Sequence, residues 1–342
     1  MRVGVLVSGG DCPGLNAAVR GAVLHGVEVY GHDYLGYRDG WRGVAKNDSF
    51  ILNRNRVRGI APLGGTILGT SRFSPFGDEG PGIAGLKEIM KRDQLDGFLT
   101  IGGNGTQTVA QMLHEAGINA IGLPKTIDND LEETDYSFGF DTAVHVATEA
   151  IDRLRTTGQS HKRCMVLEVM GRDAGWIALH AGIAAGAHVI LLPEFAESLD
   201  QISEWVRHVH ERGRASLVVV AEGFKFKGMS EGVTKGGDDG FGRARLGGIG
   251  EVLADKIEER TGIETRATIL GHVQRGGVPT AFDRVLATRA GAAGADAVAR
   301  GQWGTMVALR GTDTALVPLS AVAGKTKQVP LNRYDEARRM FG

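Results

Sequence analysis

Cysteine is nearly missing from this sequence. Cys12 and Cys164 are the two present among 342 residues, too few to staple a chain of this length, which excludes a disulfide scaffold and leaves both as reduced thiols. Charge of one sign is missing too. The 39 Lys and Arg oppose 40 Asp and Glu for a net charge of -1, so there is no global pull toward nucleic acid or an anionic membrane, and anion binding must come from local clusters. No run approaches the ~20 apolar residues that a membrane span needs, and the opening MRVGVLVSGGDCPGLN lacks the charged-then-apolar order of a secretion signal. The expectation is a soluble, cytoplasmic protein with no nucleic-acid or membrane partner. Glycine is the residue in excess, 52 of 342, about twice the usual ~7%, yet it clusters at the ends of apolar runs without a three-residue period, which excludes collagen-like and low-complexity chains.

The length exceeds what one core usually organises, so two lobes with a cleft between them are expected. The runs VGVLV, DGFLTIGG, NAIGLP, RCMVLEVMG, HVILLPE and SLVVVAEG are short and rich in β-branched residues, and a glycine or polar turn and then a helical pattern follow each. That alternation signals a parallel α/β sheet. Helices are expected over residues 15–29, 106–115, 141–157, 199–212, 250–260 and 281–300. Ligands of such sheets bind beyond the carboxyl ends of the strands, where the polar motifs stand. Residues 225–247, KFKGMSEGVTKGGDDGFGRARLG, are glycine-rich and charged with no apolar period, and read as an exposed, mobile excursion.

Three glycine loops follow or separate these runs. SGGDCPGLNAAVR (residues 8–20) joins the first strand to the first helix; its glycines let the backbone approach an anion, and the helix start offers amides to it. Cys12 within it reads as a packing residue. GGNGTQ (102–107) repeats the arrangement, and two such loops in one chain favour a polyphosphate over a single chance anion. A similar loop occurs in NAD kinases and diacylglycerol kinases, which points to phosphoryl transfer. GTILGTSR (65–72) is a third glycine loop, ending in Arg72; alone it would read as a surface turn. The stretch PKTIDNDLEETDYSFGFDTA (124–143) is the most informative. Asp128 and Asp130 stand two apart just past a strand, so in extended chain they point to one side, with the hydroxyl of Thr126 ahead of them. One carboxylate can accept a substrate hydroxyl proton while the other orients a metal or its water shell. SHKRCMVLEVMGRDAGW brings Arg163 and Arg172, ETRATILGHVQRGG brings Arg266, His272 and Arg275, and AEGF brings Glu222 beside a strand end. A lone arginine is more often a solvated charge, and a lone His272 more often packed than catalytic. Several arginines at element ends in one chain favour anion recognition through their planar forks.

In order and spacing, SGGDCPGLNAA, GGTILGTSR, GGNGT, PKTIDND, EVMGR, AEG and ETRATILGHVQRGG resemble the 6-phosphofructokinase family from the first strand to about residue 284. The resemblance implies an α/β fold of two Rossmann-like three-layer lobes with mainly parallel sheets. Its nucleotide-binding lobe would take residues 1–138 and about 276–318, and its sugar-phosphate lobe 139–275 and about 319–342. It also implies phosphoryl transfer to the 1-hydroxyl of fructose 6-phosphate, giving fructose 1,6-bisphosphate. By this resemblance Asp128 is the base, with Thr126 and Asp130 beside the reacting group, and Arg72 and Arg172 stabilise the moving phosphoryl. Gly10, Arg72, Phe73, Gly103, Asn104, Gly105 and Thr106 would hold the donor. Thr126, Ile127, Asp128, Met170, Gly171, Arg172, Glu222, His272 and Arg275 would hold the sugar phosphate. Arg163 and Arg266 would reach its 6-phosphate from a neighbouring subunit, which implies a homodimer or homotetramer.

Two positions separate ATP users from pyrophosphate users in that family. Gly105 matches ATP users, where pyrophosphate users have an aspartate that opposes the longer nucleotide. Lys125 matches pyrophosphate users, where many ATP users have glycine. The mixed pair resembles an actinobacterial-type group whose glycine members use ATP, and a missing barrier outweighs an added cation. ATP is therefore the expected donor and pyrophosphate the alternative. Asn104 stands where relatives place aspartate or glutamate near magnesium; an amide offers a carbonyl oxygen without charge, so Mg2+ is expected to rest on phosphate oxygens and water. Bacterial relatives bind a nucleotide effector through basic side chains of the first helix and an acidic residue before a strand ending in Pro-Glu. Arg20 remains here, but Leu24 and His188 take the other places, so the effector site is expected to be altered or absent. A non-catalytic sugar-phosphate sensor is a further alternative, hinted at by Asn104. A dinucleotide-dependent dehydrogenase would need GxGxxG after the first strand, which SGGDCPG does not supply.

Overall fold

The glycine-punctuated apolar runs become strands in two separate sheets. A computed structural model describes residues 1–229, 232–238 and 244–342. In chain order the described strands are β1 (Arg2–Val7), β2 (Asp33–Tyr37), β3 (Ser49–Leu52), β4 (Gly97–Gly102), β5 (Ala120–Pro124), β6 (Cys164–Val169), β7 (Val189–Leu191), β8 (Leu217–Ala221), β9 (Thr234–Asp238), β10 (Ala244–Leu246), β11 (Thr265–Ile269), β12 (Thr305–Arg310) and β13 (Asp313–Pro318). The chain divides into two units. Met1–Ile127, Leu131–Thr142 and Arg275–Thr326 form the first; Asp128–Asp130, Ala143–Gln274 and Lys327–Gly342 form the second.

The first unit carries a seven-stranded sheet in the order β13-β12-β5-β4-β1-β2-β3. Its centre is parallel, and β3 and β13 pair antiparallel at the two edges. Every residue of β4 and β5 is buried, as expected where helices cover both faces of a parallel sheet, and this is why these strands read as unbroken apolar runs. Leu6, Trp41, Phe98, Leu113 and Met306 belong to one core cluster of this unit. The alanine- and glycine-rich helix Ala281–Ala299 lies against Leu15–Tyr30. Glycine is required at that contact: a Cβ at Gly21 would overlap the Thr288 carbonyl, and one at Gly291 the Ala18 carbonyl.

The second unit has an all-parallel four-stranded sheet in the order β11-β6-β8-β7. Val166, Leu191, Val218 and Val220 from its strands pack with Ile202, Val206, Leu253 and Ile257 from the helices Leu199–Glu211 and Ile249–Thr261. The unit boundaries differ from the expected lobes. The helix Phe140–His161 starts in the first unit through Thr142, because the amides of Gly139 and Thr142 are bonded to Asp283 of that unit. The excursion expected over 225–247 is in part ordered structure: Phe226 is buried beside Phe224, which precedes the stretch, and β9 pairs antiparallel with β10. The two aromatic rings, 5.4 Å apart, join the core, a packing role that a count of glycines and charges does not register. Residues 230–231 and 239–243 of that excursion lie outside the described residues. Among the described residues no helix is long and apolar enough to cross a membrane.

Candidate active site

The three glycine loops converge in the first unit. β1 runs through Gly9 (φ 85°) and Gly14 (φ 101°), the N-cap, into the helix Leu15–Tyr30. β4 runs through the N-cap Gly103 into the helix Asn104–Glu115, whose first turn has neither a capping side chain nor a carboxylate. Such a helix start favours an anion. Thr106, in that first turn, donates its hydroxyl to the Ser8 carbonyl at 3.3 Å. The third loop joins from the other side: the Gly9 amide donates to the Ser71 carbonyl at 3.0 Å, and the Thr70 hydroxyl donates to the Gly9 carbonyl at 2.7 Å. Gly10, Gly103, Asn104, Gly105 and Thr106 are thus parts of one connected set of loops. Arg72 follows Ser71 directly and is exposed, whereas Phe73 packs against the unit's core cluster. A Cβ at Gly105 would meet nothing within 4 Å.

Two cations reach Gly10. Lys125, next to the end of β5, is 5% exposed, and its ammonium donates to the Gly10 carbonyl. Arg275 covers the same glycine so closely that a Cβ there would overlap the guanidinium. The structure therefore places Arg275 in the first unit beside the phosphate-type loops, apart in unit assignment from His272, with which the sequence groups it.

The loop from Thr126 to Asp130 is bent where an extended course was expected. Asn129 is 2% exposed and has φ 51°, so side chains do not alternate through it and the two-apart argument for Asp128 and Asp130 fails. The loop's entry is held by the Ser137 hydroxyl, which donates to the Thr126 carbonyl at 2.7 Å. At its exit the Lys327 amide donates to the Asp130 carbonyl at 2.8 Å. Ile127 is buried, and Asp128 and Asp130 are half-buried.

In the second unit, Met170, Gly171, Arg172, Glu222 and His272 all stand past the carboxyl ends of the neighbouring strands β6, β8 and β11. The Gly223 amide donates to the Gly171 carbonyl at 3.1 Å, and the Glu222 amide to the Val169 carbonyl at 2.9 Å, which sets the two loops side by side. Gly171 has φ 135° and its Cβ would press on the Ala174 carbonyl, so this turn needs glycine. Arg163 and Arg266 stand elsewhere, at the starts of β6 and β11. Both contact Glu264, Arg163 at 2.7 Å, and Arg266 also reaches Glu258 at 3.4 Å. The Arg163 guanidinium holds the Glu264 carboxyl below its ordinary range.

Two buried polar residues were missed by sequence reasoning. Gln274 is fully buried; it accepts from the Met170 amide at 3.3 Å and donates to the Gly271 carbonyl at 3.0 Å, tying the β6 loop to the turn that carries His272. Asp283 is fully buried, accepting from the amides of Gly139 (2.9 Å) and Thr142 (2.8 Å) and from the Thr142 hydroxyl (2.5 Å). The sequence T-A-F-D, with a hydroxyl residue three before a carboxylate at a helix start, is the signal that could have singled it out. A separate pocket of 380 Å³ in the first unit is lined by Arg20, Leu24, Arg54, Asn55, Arg58 and Gly59. His188, the other position of the expected altered effector site, accepts from the Leu217 amide at 3.1 Å in the second unit. Among the described residues no three or more His, Cys, Asp or Glu side chains gather as a metal cluster.

The family profile named Phosphofructokinase matches residues 2–298. The chain is 55% identical over 342 residues to the pyrophosphate-fructose 6-phosphate 1-phosphotransferase of Amycolatopsis methanolica, covering 100% of both chains. It is 49% identical over 338 residues to ATP-dependent 6-phosphofructokinase 3 of Streptomyces coelicolor, covering 98% of this chain and 99% of that one. Among solved structures, Pichia pastoris phosphofructokinase in the T-state superposes with a TM-score of 0.83 at 31% identity, over 94% of this chain and 35% of that chain.

Proposed function

The chain belongs to the phosphofructokinase family and is a phosphotransferase acting on fructose 6-phosphate; within that family we propose that its phosphoryl donor is pyrophosphate. The observation that carries this reading is Lys125, whose buried ammonium is bonded to the Gly10 carbonyl inside the connected glycine loops. Pyrophosphate brings no nucleoside, so its binding must come from cations and amides crowded around two phosphates. The relative named for pyrophosphate is also more similar to this chain than the one named for ATP. The sequence favours ATP by weighting Gly105 over Lys125; this proposal weights Lys125 over Gly105, on its contact with the Gly10 carbonyl. ATP is the second reading, on the open space beside Gly105.

In this proposal the loops at Gly10, Gly103–Thr106 and Arg72 hold the donor, and Asp128 takes the proton of the 1-hydroxyl. Thr126, Asp130 and Arg172 stand by the moving phosphoryl, and Met170, Gly171, Glu222 and His272 hold the sugar. Arg163 and Arg266 serve the 6-phosphate of a neighbouring copy's site. Mg2+ would come on the donor's oxygens, with Asn104 offering a neutral carbonyl, and would offset the charge that develops during transfer. Turnover of fructose 6-phosphate with magnesium pyrophosphate and with magnesium ATP, measured side by side, tests the reading. Faster turnover with pyrophosphate is expected. Preference for ATP would move the assignment to the second reading, and turnover with neither would remove the proposed reaction.

A further inference from the structure

The reactive loop is held from a distance by the far end of the chain. Lys327, whose amide donates to the Asp130 carbonyl at 2.8 Å, is itself gripped: the Trp176 indole N–H donates to the Lys327 carbonyl at 2.9 Å, and the Lys327 ammonium lies 5.4 Å from the centre of the Trp176 ring. Two residues on, the buried Val329 donates its amide to Glu194 at 2.9 Å. Glu194 also accepts from the Gly175 amide at 3.1 and 3.2 Å, and Gly175 is the N-cap of the helix Trp176–Ala184. All of these residues belong to the second unit.

We propose that residues 327–329, clamped by Trp176 and Glu194, form a strap that positions the Asp128–Asp130 loop for proton transfer. Trp176 and Glu194 are positioning residues in this account, Trp176 acting through Asp128 and Glu194 through Asp128 and the turn of Arg172, and neither acts on substrate. The inference rests on the proposed role of Asp128 in phosphoryl transfer. Three points support it. Asn129 sits at φ 51° and is buried, and this left-handed bend, which asparagine accepts readily, links the position of Asp128 to that of the held Asp130. The strap supplies a hydrogen bond at the loop's exit, as Ser137 does at its entry. The same clamp also closes the turn that begins at Gly171 and Arg172, because Gly175 ends that turn and is held by Glu194. One carboxylate and one indole thereby tie the proposed base and the proposed phosphoryl-stabilising arginine to a single segment of chain.

The test is Trp176→Phe, which keeps an aromatic ring and removes the indole N–H, with Glu194→Gln as an independent second variant. Misplacing a reacting group by ~1 Å can cost up to ~100-fold, so a fall in kcat of about tenfold is expected, with KM for fructose 6-phosphate and for the donor within about twofold. In the Asp128→Ser background Trp176→Phe should lower kcat by less than about twofold, because a residue that acts through Asp128 has nothing left to position, whereas Glu194→Gln, which also holds the turn of Arg172, should keep part of its effect. Amide hydrogen exchange over residues 126–131 should rise in both variants, a readout that does not depend on turnover. Unchanged exchange in both variants, an equal kcat loss from Trp176→Phe with and without Asp128, or a KM rise at constant kcat would overturn the strap. Absence of turnover in the unmodified protein with either donor would instead remove the proposed reaction, while the exchange result would still decide whether the segment holds the loop.

Discussion

Lys125 is 5% exposed, and its Nζ donates to the Gly10 carbonyl. A buried cation is sustained by partners that offset its desolvation, and adjacent phosphate groups are strong ones. Lys125→Gly is expected to lower kcat/KM for pyrophosphate by about tenfold or more, ~1.4 kcal/mol of transition-state binding, and to lower it less for ATP. Gly105→Asp should do the reverse. Its side chain would enter space that is empty around Gly105 and set a charge against the longer donor, cutting ATP-supported kcat/KM by at least about tenfold. Steady-state kinetics of both variants with both donors decide this, and a larger loss with ATP in Lys125→Gly would return the donor assignment to Gly105. Asp128→Ser should lower kcat by about 100- to 10,000-fold while KM for fructose 6-phosphate changes by no more than about threefold, because a positioned base acts in the transition state. Native-like kcat in a folded Asp128→Ser protein would take Asp128 out of the mechanism.

At the scale of elements, Asp283 joins two helix starts. It lies in the first turn of Ala281–Ala299, where the Thr280 hydroxyl caps its amide at 3.3 Å, and it accepts from Gly139 and Thr142 where Phe140–His161 begins. Burial pushes its carboxyl up to about 6, against an ordinary 3.8, while the hydrogen bonds it accepts pull the other way. The folded value is the higher one, so the stability that this group contributes is complete below about 4 and is drained as pH rises through about 6. Asp283→Asn cannot titrate, and the stability gap between native and variant should be larger at pH 4 than at pH 7 by up to about 3 kcal/mol. Denaturant unfolding at the two pH values measures it, and a gap independent of pH would show that Asp283 ionises as an ordinary carboxylate. The elements themselves were legible in proportion to their burial. β1, β4, β5, β6, β7 and β8 stand out as apolar runs because they are buried throughout or nearly so. β13 is an edge strand with mixed exposure and β2 begins on an exposed Asp33, so neither presents a continuous run. The helix Trp176–Ala184 is apolar along most of its nine residues, which hides the period that would separate a helix from a strand. Among the candidate site residues, the meeting of those in glycine loops was legible because such loops fall at strand ends. The bend at Asn129 was not, because nothing in the run of residues marks which asparagine takes the left-handed conformation, and the hold of Lys327 on Asp130 was not, because it joins residues almost 200 positions apart in the chain.

For the whole molecule, the placement of the arginines in the second unit bears on assembly. Arg163 precedes β6 and Arg172 follows it, and the six residues of that strand separate their backbones by about 20 Å or more at ~3.3 Å per residue. Arg266 and His272 are likewise spread along and beyond β11. One fructose 6-phosphate cannot be held by both ends of these strands from a single chain. If Arg163 and Arg266 act on the 6-phosphate, they act in the site of a neighbouring copy, and symmetry makes the exchange reciprocal. Their loss should not unfold the chain, because their pairs with Glu264 and Glu258 are partly exposed, and such pairs contribute ~0–1 kcal/mol. The double substitution Arg163→Ala and Arg266→Ala and the single substitution Asp128→Ser should each leave little turnover at low fructose 6-phosphate. Co-expressed with different affinity tags and purified through both, the hybrid should recover activity, about half of the native value for a dimer, because one site of each pair then has Asp128 from one chain and both arginines from the other. A hybrid no more active than its parents would place Arg163 and Arg266 outside the substrate site and leave their contacts with Glu264 as a structural feature of one chain.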